Sequence, residues 1–340
     1  MNKLSTLTVA VTAIIVVSGH VAGVFALQQS DTAATGDKVP AESAAAVTES
    51  DPQATEILRQ SRNRLFERQS VQAEITQLIS LGEYRLQSRG TYASGTGFRY
   101  RLQYQLQLGD LQGEFLEVCD GQILHTRRQI TPISPKHQDV AAPEMELTRR
   151  DIQRIRREAL GIKDANPTSN LSDALRSAEI GLGGIPAILA MLERTLLLEP
   201  ARVQNLDGRN FLVLQGRMRP DRQAELLAGL GPASGQIAGF LPDVVRLYLD
   251  QETLFPEKFL YLKLTEPNGK TLAPLITVEF TNVQLDQPIQ EKQFVYMAPP
   301  GLEEKDETLV YLEMMRQAAA AVVTPAEQSP PAGATPPPAQ

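Results

Sequence analysis

The chain has few of the residues from which catalytic and metal sites are built. Its 340 residues include a single cysteine, Cys119, and three histidines. One cysteine cannot form an intramolecular disulfide, so the fold must be held by packing. His125 and His137, which follow the N-terminal segment, do not lie at metal-ligand spacing from each other or from Cys119. No Gly-x-Ser-x-Gly elbow and no Walker loop occurs. We therefore expect no enzyme, with no catalytic residue, no metal and no cofactor.

A basic surplus is also missing. The formal net charge is -7, which argues against nucleic acid as a partner because such proteins usually carry a basic footprint. Tryptophan is absent and aromatic residues make up only 5% of the chain. Any local cluster of aromatic residues is therefore informative.

The N-terminus is typical of an exported protein. Lys3 supplies a positive charge, and no charged side chain follows from residue 4 to residue 30. Val24, Phe25 and Ala26 suit a signal peptidase, so residues 1–26 are predicted to be a signal peptide. The apolar stretch of roughly 20 residues is also long enough to span a bilayer, so an uncleaved anchor stays open. We expect residues 27–50 to be a disordered spacer and the Pro/Ala-rich residues 321–340 to be a disordered tail.

The stretch GFRYRLQYQLQL at 97–108 is the strongest structural signal. Aromatic and leucine side chains alternate along it with arginines and glutamines. Because successive side chains of a strand point to opposite faces, this pattern predicts a strand with one long apolar face. Similar alternation recurs along the chain, and Asp-Gly pairs at 120–121 and 207–208 predict hairpins. Short loops between such strands indicate an antiparallel meander.

Helical patterns interrupt the strands in the middle of the chain. We predict helices over Leu147–Leu160, over Asp173–Ile180 and from Pro186 through Leu198. Strands resume near Ala201. Strands, then helices, then strands predict one α+β domain at 51–320, with a single strongly curved antiparallel β-sheet and a helical insertion at about 140–200.

The apolar strand faces have two interpretations. They either pack on the helices as a dry core, or the sheet curls into an open barrel that leaves a slot for acyl chains beneath a helical lid. Periodicity alone does not separate the two.

Motifs in the last part of the domain bear on that choice. A strand ends in the Asp-x-x-Thr-x-x-Pro turn of Asp250, Thr253 and Pro256, and a Val-x-Phe-x-Asn strand follows at 278–282. Pro-Ile at 288–289, Phe294 and Pro-Pro-Gly at 299–301 come next. Earlier in the chain stand GFRYRLQY at 97–104 and the hairpin VCDGQILHT at 118–126. Over most of 52–305 the sequence resembles the LolA-like lipoprotein carriers of the bacterial periplasm.

The resemblance implies an incomplete β-barrel closed by helices, whose cavity holds acyl chains. It predicts an exported, periplasmic carrier that sequesters lipid or lipoprotein acyl chains in a hydrophobic cavity without covalent chemistry. We expect a monomer, with envelope membrane proteins as possible partners. The length of the apolar stretch separately leaves open an inner-membrane anchor at residues 4–26. The alternative is an envelope sensor or scaffold on the same fold, tethered by that anchor. The cavity walls predicted from the apolar faces are Ile75, Tyr84, Phe98, Tyr100, Leu102, Tyr104, Leu106, Phe211, Leu247, Leu249, Ile276, Val278 and Phe280. The predicted lid residues are Ile188, Leu189, Leu192 and Leu196.

Overall fold

One open sheet runs through the computed structural model, which describes residues 39–40, 49–81, 84–108, 111–132, 144–162, 171–229, 241–265 and 271–323. The strands are β1 Val39–Pro40, β2 Ser70–Leu81, β3 Tyr84–Gly95, β4 Arg99–Leu108, β5 Leu111–Asp120, β6 Ile123–Pro132, β7 Glu144–Asp151, β8 Leu196–Leu198, β9 Arg202–Leu206, β10 Arg209–Met218, β11 Val244–Asp250, β12 Pro256–Leu264, β13 Thr271–Leu285 and β14 Glu304–Asp306. The helices are α1 Pro52–Glu67, α2 Ile152–Leu160, α3 Leu171–Glu179, α4 Ile185–Thr195, α5 Pro220–Gly229 and α6 Thr308–Val323. A short 3-10 helix covers Glu291–Phe294.

The strands follow the order β14-β7-β6-β5-β4-β3-β2-β13-β12-β11-β10-β8, with β1 beside β13 and β9 beside β10. Every pair is antiparallel except β14 with β7. The sheet is curved and does not close on itself. This confirms the predicted fold class, an α+β protein with an incomplete barrel whose concave face is covered by helices.

The first helix begins with a capping aspartate and a proline. Asp51 caps α1 by accepting a hydrogen bond from the backbone N–H of Ala54 at 2.7 Å, and Pro52 occupies the first turn. Ala54 and Leu58 are buried against the sheet. Of the predicted spacer, Val39 and Pro40 pair with β13. The N-terminal segment 1–26 and most of the predicted tail lie outside the described residues.

The predicted helix over Leu147–Leu160 is wrong in its first third. Residues 147–151 belong to β7, which pairs along its length with β6, from Ile123 opposite Asp151 to Ile130 opposite Glu144. Asp151 then caps α2 by accepting from the backbone N–H of Arg154 at 2.7 Å. The helix starts at residue 152 because the cap stands immediately before it.

The helix predicted to run from Pro186 through Leu198 ends at Thr195. Leu196, Leu197 and Leu198 form β8, which pairs with Met218, Arg217 and Gly216 of β10. A run of leucines fits a buried strand as well as a helix, so local sequence does not separate the two.

A segment that we call the strap, residues 286–306, crosses the convex face of the sheet. It leaves β13 at Asp286, whose backbone N–H donates to Ser70, and its Phe294 ring packs against Gly95 and Arg99. Farther along, the Tyr296 ring stacks on His125 with centroids 4.7 Å apart. The strap thereby covers convex-face residues of β4 to β6 and leaves the concave face to the helices.

Candidate functional site

One large apolar cluster fills the concave face of the sheet beneath the helices. It joins side chains from β2–β5 and β10–β13 with side chains from α1, α2, α4 and α6. Most of the predicted cavity walls belong to this cluster or pack against it. These residues are Ile75, Tyr100, Leu102, Tyr104, Leu106, Leu247, Leu249, Ile276, Val278 and Phe280.

Helix α4 lies over the centre of this face. Ile188, Leu189 and Leu192, three of the predicted lid residues, are buried in the cluster. The fourth, Leu196, is buried there too, but it belongs to β8 because the helix ends at Thr195. On its other side, α4 is tied to α1: Glu193 accepts hydrogen bonds from Arg59 at 2.6 Å and from Arg62 at 2.8 Å.

The start of α4 is held by a tyrosine of the sheet. The backbone N–H of Ile185 donates to the hydroxyl oxygen of Tyr92 on β3. Gly184 precedes the helix with φ +67, and a Cβ there would lie 2.8 Å from that oxygen. Burial raises the pKa of Tyr92, so the hydroxyl stays neutral at physiological pH. Tyr92 thus replaces the side-chain cap that Gly184 does not provide.

The space between α4 and the sheet is small. It forms an interior cavity of about 30 Å³, and one water needs roughly 10–15 Å³ of such volume. An acyl chain therefore does not fit in this arrangement of the helices. The lining residues are Ile75, Tyr92, Tyr100, Leu102, Tyr104, Glu117, Gly184, Ile185, Ile188, Phe259, Val278 and Phe280.

A larger pocket of about 330 Å³, which we call the mouth, opens beside the interior cavity. This volume falls within the range of about 300–1,000 Å³ that is typical of small-molecule sites. Tyr92 and Tyr100 line both spaces, so the mouth and the interior meet at these two side chains. The other walls come from the end of α1, the turn between β3 and β4, α3 and the start of α4.

Phe98 lines the mouth and is not a strand residue as predicted. Its φ of +61 places it in the turn before β4, which begins at Arg99. Its ring packs edge-on against Phe66 with centroids 5.9 Å apart, and the Arg156 guanidinium lies 5.1 Å from the ring centroid. The turn rotates this side chain away from the face shared by Tyr100 and Leu102.

Phe211 is also misplaced by the sequence pattern. It belongs to a second apolar cluster with Val213 and Tyr248, whereas Leu212 and Leu214 face the main cluster. Four successive apolar residues of β10 fit either face, so alternation does not identify the inner one. The side chain of Tyr84 lies outside the described residues.

The sequence pattern missed a charged residue in the wall. Glu117 on β5 lines the interior cavity and is only 2% exposed. The Tyr100 hydroxyl donates to its carboxylate at 3.4 Å. Burial raises the pKa of Tyr100 well above its usual value, and the neighbouring Glu117 charge adds to the shift. The alternation of Phe115, Glu117 and Cys119 is the signal that could have placed Glu117 on the inner face.

The described residues form a site whose walls are mostly apolar. In these ranges no group of three or more His, Cys, Asp or Glu side chains is placed to hold a metal ion. Nor does the described part of the chain contain a helix long and apolar enough to cross a membrane. What the site presents is a buried apolar face, a covering helix and a pocket at its rim.

The fold is an open, mostly antiparallel half-barrel whose concave face is covered by helices. No family model matches the chain, and no curated protein matches it. Among solved structures the chain is similar to MucB, at 17% identity and a TM-score of 0.36, covering 73% of this chain and 64% of that one, so it spans less than two thirds of MucB. It is similar to the lipoprotein LppX of Mycobacterium tuberculosis, at 10% identity and a TM-score of 0.28, covering 71% and 99%. A LolA superfamily protein from Nitrosomonas europaea, the group that the sequence resembles, matches at 11% identity and a TM-score of 0.23, covering 72% and 97%.

Proposed function

We propose that the protein is an exported carrier that binds lipid or lipoprotein acyl chains in the concavity of its sheet, without covalent chemistry. The observation that supports this proposal is that the mouth and the apolar interior lie side by side, with Tyr92 and Tyr100 as a shared wall. A chain that enters at the mouth passes these two rings. It then meets the apolar walls that include Ile75, Leu102 and Val278.

Binding requires α4 to move outward, because the interior of about 30 Å³ is far smaller than an acyl chain. The driving force is the removal of methylenes from water, about 0.8 kcal/mol for each CH₂, or roughly 9 kcal/mol for a twelve-carbon chain. Opening breaks the Tyr92 hydrogen bond and the ion pairs of Glu193. Single interactions of these kinds contribute about 1 kcal/mol each. The buried chain outweighs them, provided that the buried side chains of α4 pack on the acyl chain in place of the sheet.

Release then follows from closure of α4 or from a partner that offers a better site. A membrane protein of the bacterial envelope would suit this role, and the carrier would act in the periplasm as a monomer. Residues 4–26, which lie outside the described residues, would determine whether it diffuses freely or stays at the inner membrane.

Mass spectrometry of an organic extract tests the proposal. The protein is purified from a bacterial envelope without detergent, and we expect stoichiometric lipid in the extract. A fluorescent fatty acid should then bind, and Leu102→Gln should weaken its binding at least tenfold by placing an amide in the apolar wall. Gln105→Ala, on the exposed side of the same strand, is the matched control and should leave binding unchanged. An empty extract together with no fatty-acid uptake would contradict the proposal.

A second candidate function is an interaction module, a sensor or scaffold on the same fold. The observation that favours it is the nearly filled interior, which is also what a dry core looks like. Such a protein would be tethered by an uncleaved N-terminal anchor, since it has no need to leave the membrane. Sizing the N-terminus of the native protein separates the two: a retained segment with an empty extract favours the module.

A further inference from the structure

Two buried polar side chains of the concave face each leave an atom without a hydrogen bond. They are Gln77 on β2, through its amide nitrogen, and Tyr261 on β12, through its hydroxyl, and the described part of the chain offers neither atom a partner. Gln77 is 0% exposed and Tyr261 is 6% exposed. The Gln77 amide oxygen accepts from the Ser88 hydroxyl at 3.1 Å, so turning the amide over would only exchange the orphaned atom. Orphaned polar groups in a protein interior destabilise the fold, and here they point to a ligand that pairs with them.

Both groups lie on the face that carries the interior cavity. Gln77 stands directly opposite Val278, which lines the cavity. Tyr261 belongs to the main apolar cluster and follows Phe259, another lining residue, two positions along β12. Directly paired residues of antiparallel strands share a face, as do residues two apart on one strand. The orphaned atoms therefore belong to the wall next to the cavity.

Tyr104 connects the orphaned atoms with the cavity, which it lines. Its ring leans over Gly90 of β3, where an added Cβ would lie 3.0 Å from the Tyr104 Cδ1 atom, and β3 is the strand between β4 and β2. Burial raises the pKa of Tyr104, and the nearby Tyr261 hydroxyl adds to the shift. The two hydroxyls thus lie near each other and stay neutral. We call Gln77, Tyr104 and Tyr261 the inner polar cluster.

The inner polar cluster lies deep in the concavity. Tyr100 lines the mouth, and Tyr104 lies four residues farther along β4, a distance of roughly 13 Å at about 3.3 Å for each residue of a strand. A chain that enters at the mouth therefore brings its far end to the cluster and leaves its head group behind.

We infer that the inner polar cluster selects acyl chains that carry a hydroxyl group far from the head group, over unsubstituted chains of the same length. This inference rests on the proposed function, in which outward movement of α4 gives the ligand access to the cluster. The amide nitrogen of Gln77 donates hydrogen bonds, and a tyrosine hydroxyl both donates and accepts. A ligand hydroxyl matches both groups and carries no charge, so it pairs with the orphaned atoms without burying an ion. An unsubstituted chain would leave them unpaired.

Competition between matched ligands tests this inference. Nile red, a neutral dye, is bound to the full protein and displaced at pH 7.5 by 12-hydroxydodecanoate, 2-hydroxydodecanoate or dodecanoate below their micellar concentrations. We expect the wild type to bind 12-hydroxydodecanoate at least threefold more tightly than dodecanoate, whereas a purely apolar wall would favour dodecanoate. The hydroxyl of 2-hydroxydodecanoate stays near the mouth, so this ligand should bind no more tightly than dodecanoate.

Tyr261→Phe removes one orphaned hydroxyl and keeps the ring. It should reverse the preference, so that dodecanoate binds more tightly than 12-hydroxydodecanoate. The free energy of unfolding should stay the same or rise, because the hydroxyl has no partner to lose. Tyr248→Phe is the matched control, since Tyr248 is a buried tyrosine of the second apolar cluster, and it should leave the preference unchanged.

A second variant addresses the amide. Gln77→Met keeps the length of the side chain and removes the amide nitrogen, so it should weaken 12-hydroxydodecanoate binding at least threefold and leave dodecanoate binding unchanged. A wild type that favours dodecanoate, or an unchanged preference in Tyr261→Phe, would overturn the inference while leaving the proposed function intact. Failure of the protein to bind the dye or any of the three ligands would overturn the two together.

Discussion

Replacing Tyr92 by phenylalanine tests whether its hydroxyl holds the start of α4 against the sheet. The Tyr92 hydroxyl accepts from the backbone N–H of Ile185 and also receives a hydrogen bond from Ser94. Gly184 offers no side chain in its place. The variant therefore leaves the first N–H of α4 without its acceptor while keeping the aromatic ring in the wall.

The magnitude follows from the burial of this contact. A buried donor that loses its partner costs about 1–3 kcal/mol. The cost falls on the closed state, because water can hydrogen-bond the same N–H once α4 has moved outward. A shift of 1–3 kcal/mol corresponds to a change of about 5- to 150-fold in an equilibrium constant. We therefore expect the open population to rise by that factor.

Stopped-flow uptake of a fluorescent fatty acid measures the effect. The uptake rate should rise at least fivefold in Tyr92→Phe, and urea unfolding should show a free energy of unfolding lower by about 1–3 kcal/mol. Tyr248→Phe is the control, because Tyr248 is a buried tyrosine of the second apolar cluster, on the other face of the sheet. If stability falls while the uptake rate stays the same, Tyr92 holds the fold and not the lid, and the reasoning is refuted.

Two further predictions concern Asp250 and Cys119. Partial burial acts to raise the pKa of Asp250, but hydrogen bonds from Thr253 and Arg209 outweigh it, and the pKa is lowered. The stabilising contribution of the Asp250 carboxylate is therefore present above the unfolded pKa of about 3.9. It is lost as the pH falls through the folded pKa. Asp250→Asn should lower the free energy of unfolding by about 1–2 kcal/mol at pH 7, and urea unfolding should show a smaller loss at pH 3. An equal loss at both pH values would contradict a stabilising role of the charged carboxylate. Burial raises the pKa of the Cys119 thiol to about 12, so its reaction with Ellman's reagent at pH 8 should proceed only as fast as the protein opens, and rapid labelling of the native protein would show a different environment.

The strand and turn order was predictable because local chemistry decides it. The Asp120-Gly121 pair forms the predicted hairpin between β5 and β6, with Gly121 at φ +94. The Asp-x-x-Thr motif forms a turn in which the Asp250 carboxylate accepts from the backbone N–H and the hydroxyl of Thr253, at 2.8 and 2.7 Å. In both places the residues that predict the turn also form it, through the positive φ of Gly121 and the hydrogen bonds between Asp250 and Thr253.

The errors fall where the sequence fits two structures equally. Arg149 and Arg150 suit the outside of a helix, but in β7 they alternate between the two faces, with Arg149 exposed and Arg150 buried beside Glu307. Partners such as Glu307, more than 150 residues away, carry no local signal. The same holds for the polar wall of the cavity, because Glu117 is recognised only once the face of β5 is known.

The two edges of the sheet bear on whether copies of the molecule can pair through their strands. An open sheet has two edges, and an exposed edge strand is a template for pairing with another chain. Here one end is the three-residue strand β14, and the other consists of two short strands beside β10, the three-residue β8 and the five-residue β9. The backbone of β8 is occupied further, since Leu198 accepts from the Asp51 N–H at 2.9 Å and donates to the Ser50 hydroxyl at 3.1 Å. Strand-to-strand aggregation is thereby discouraged even though the barrel stays open. If the helices part as the proposed function requires, they do so without offering a long free edge to neighbouring molecules.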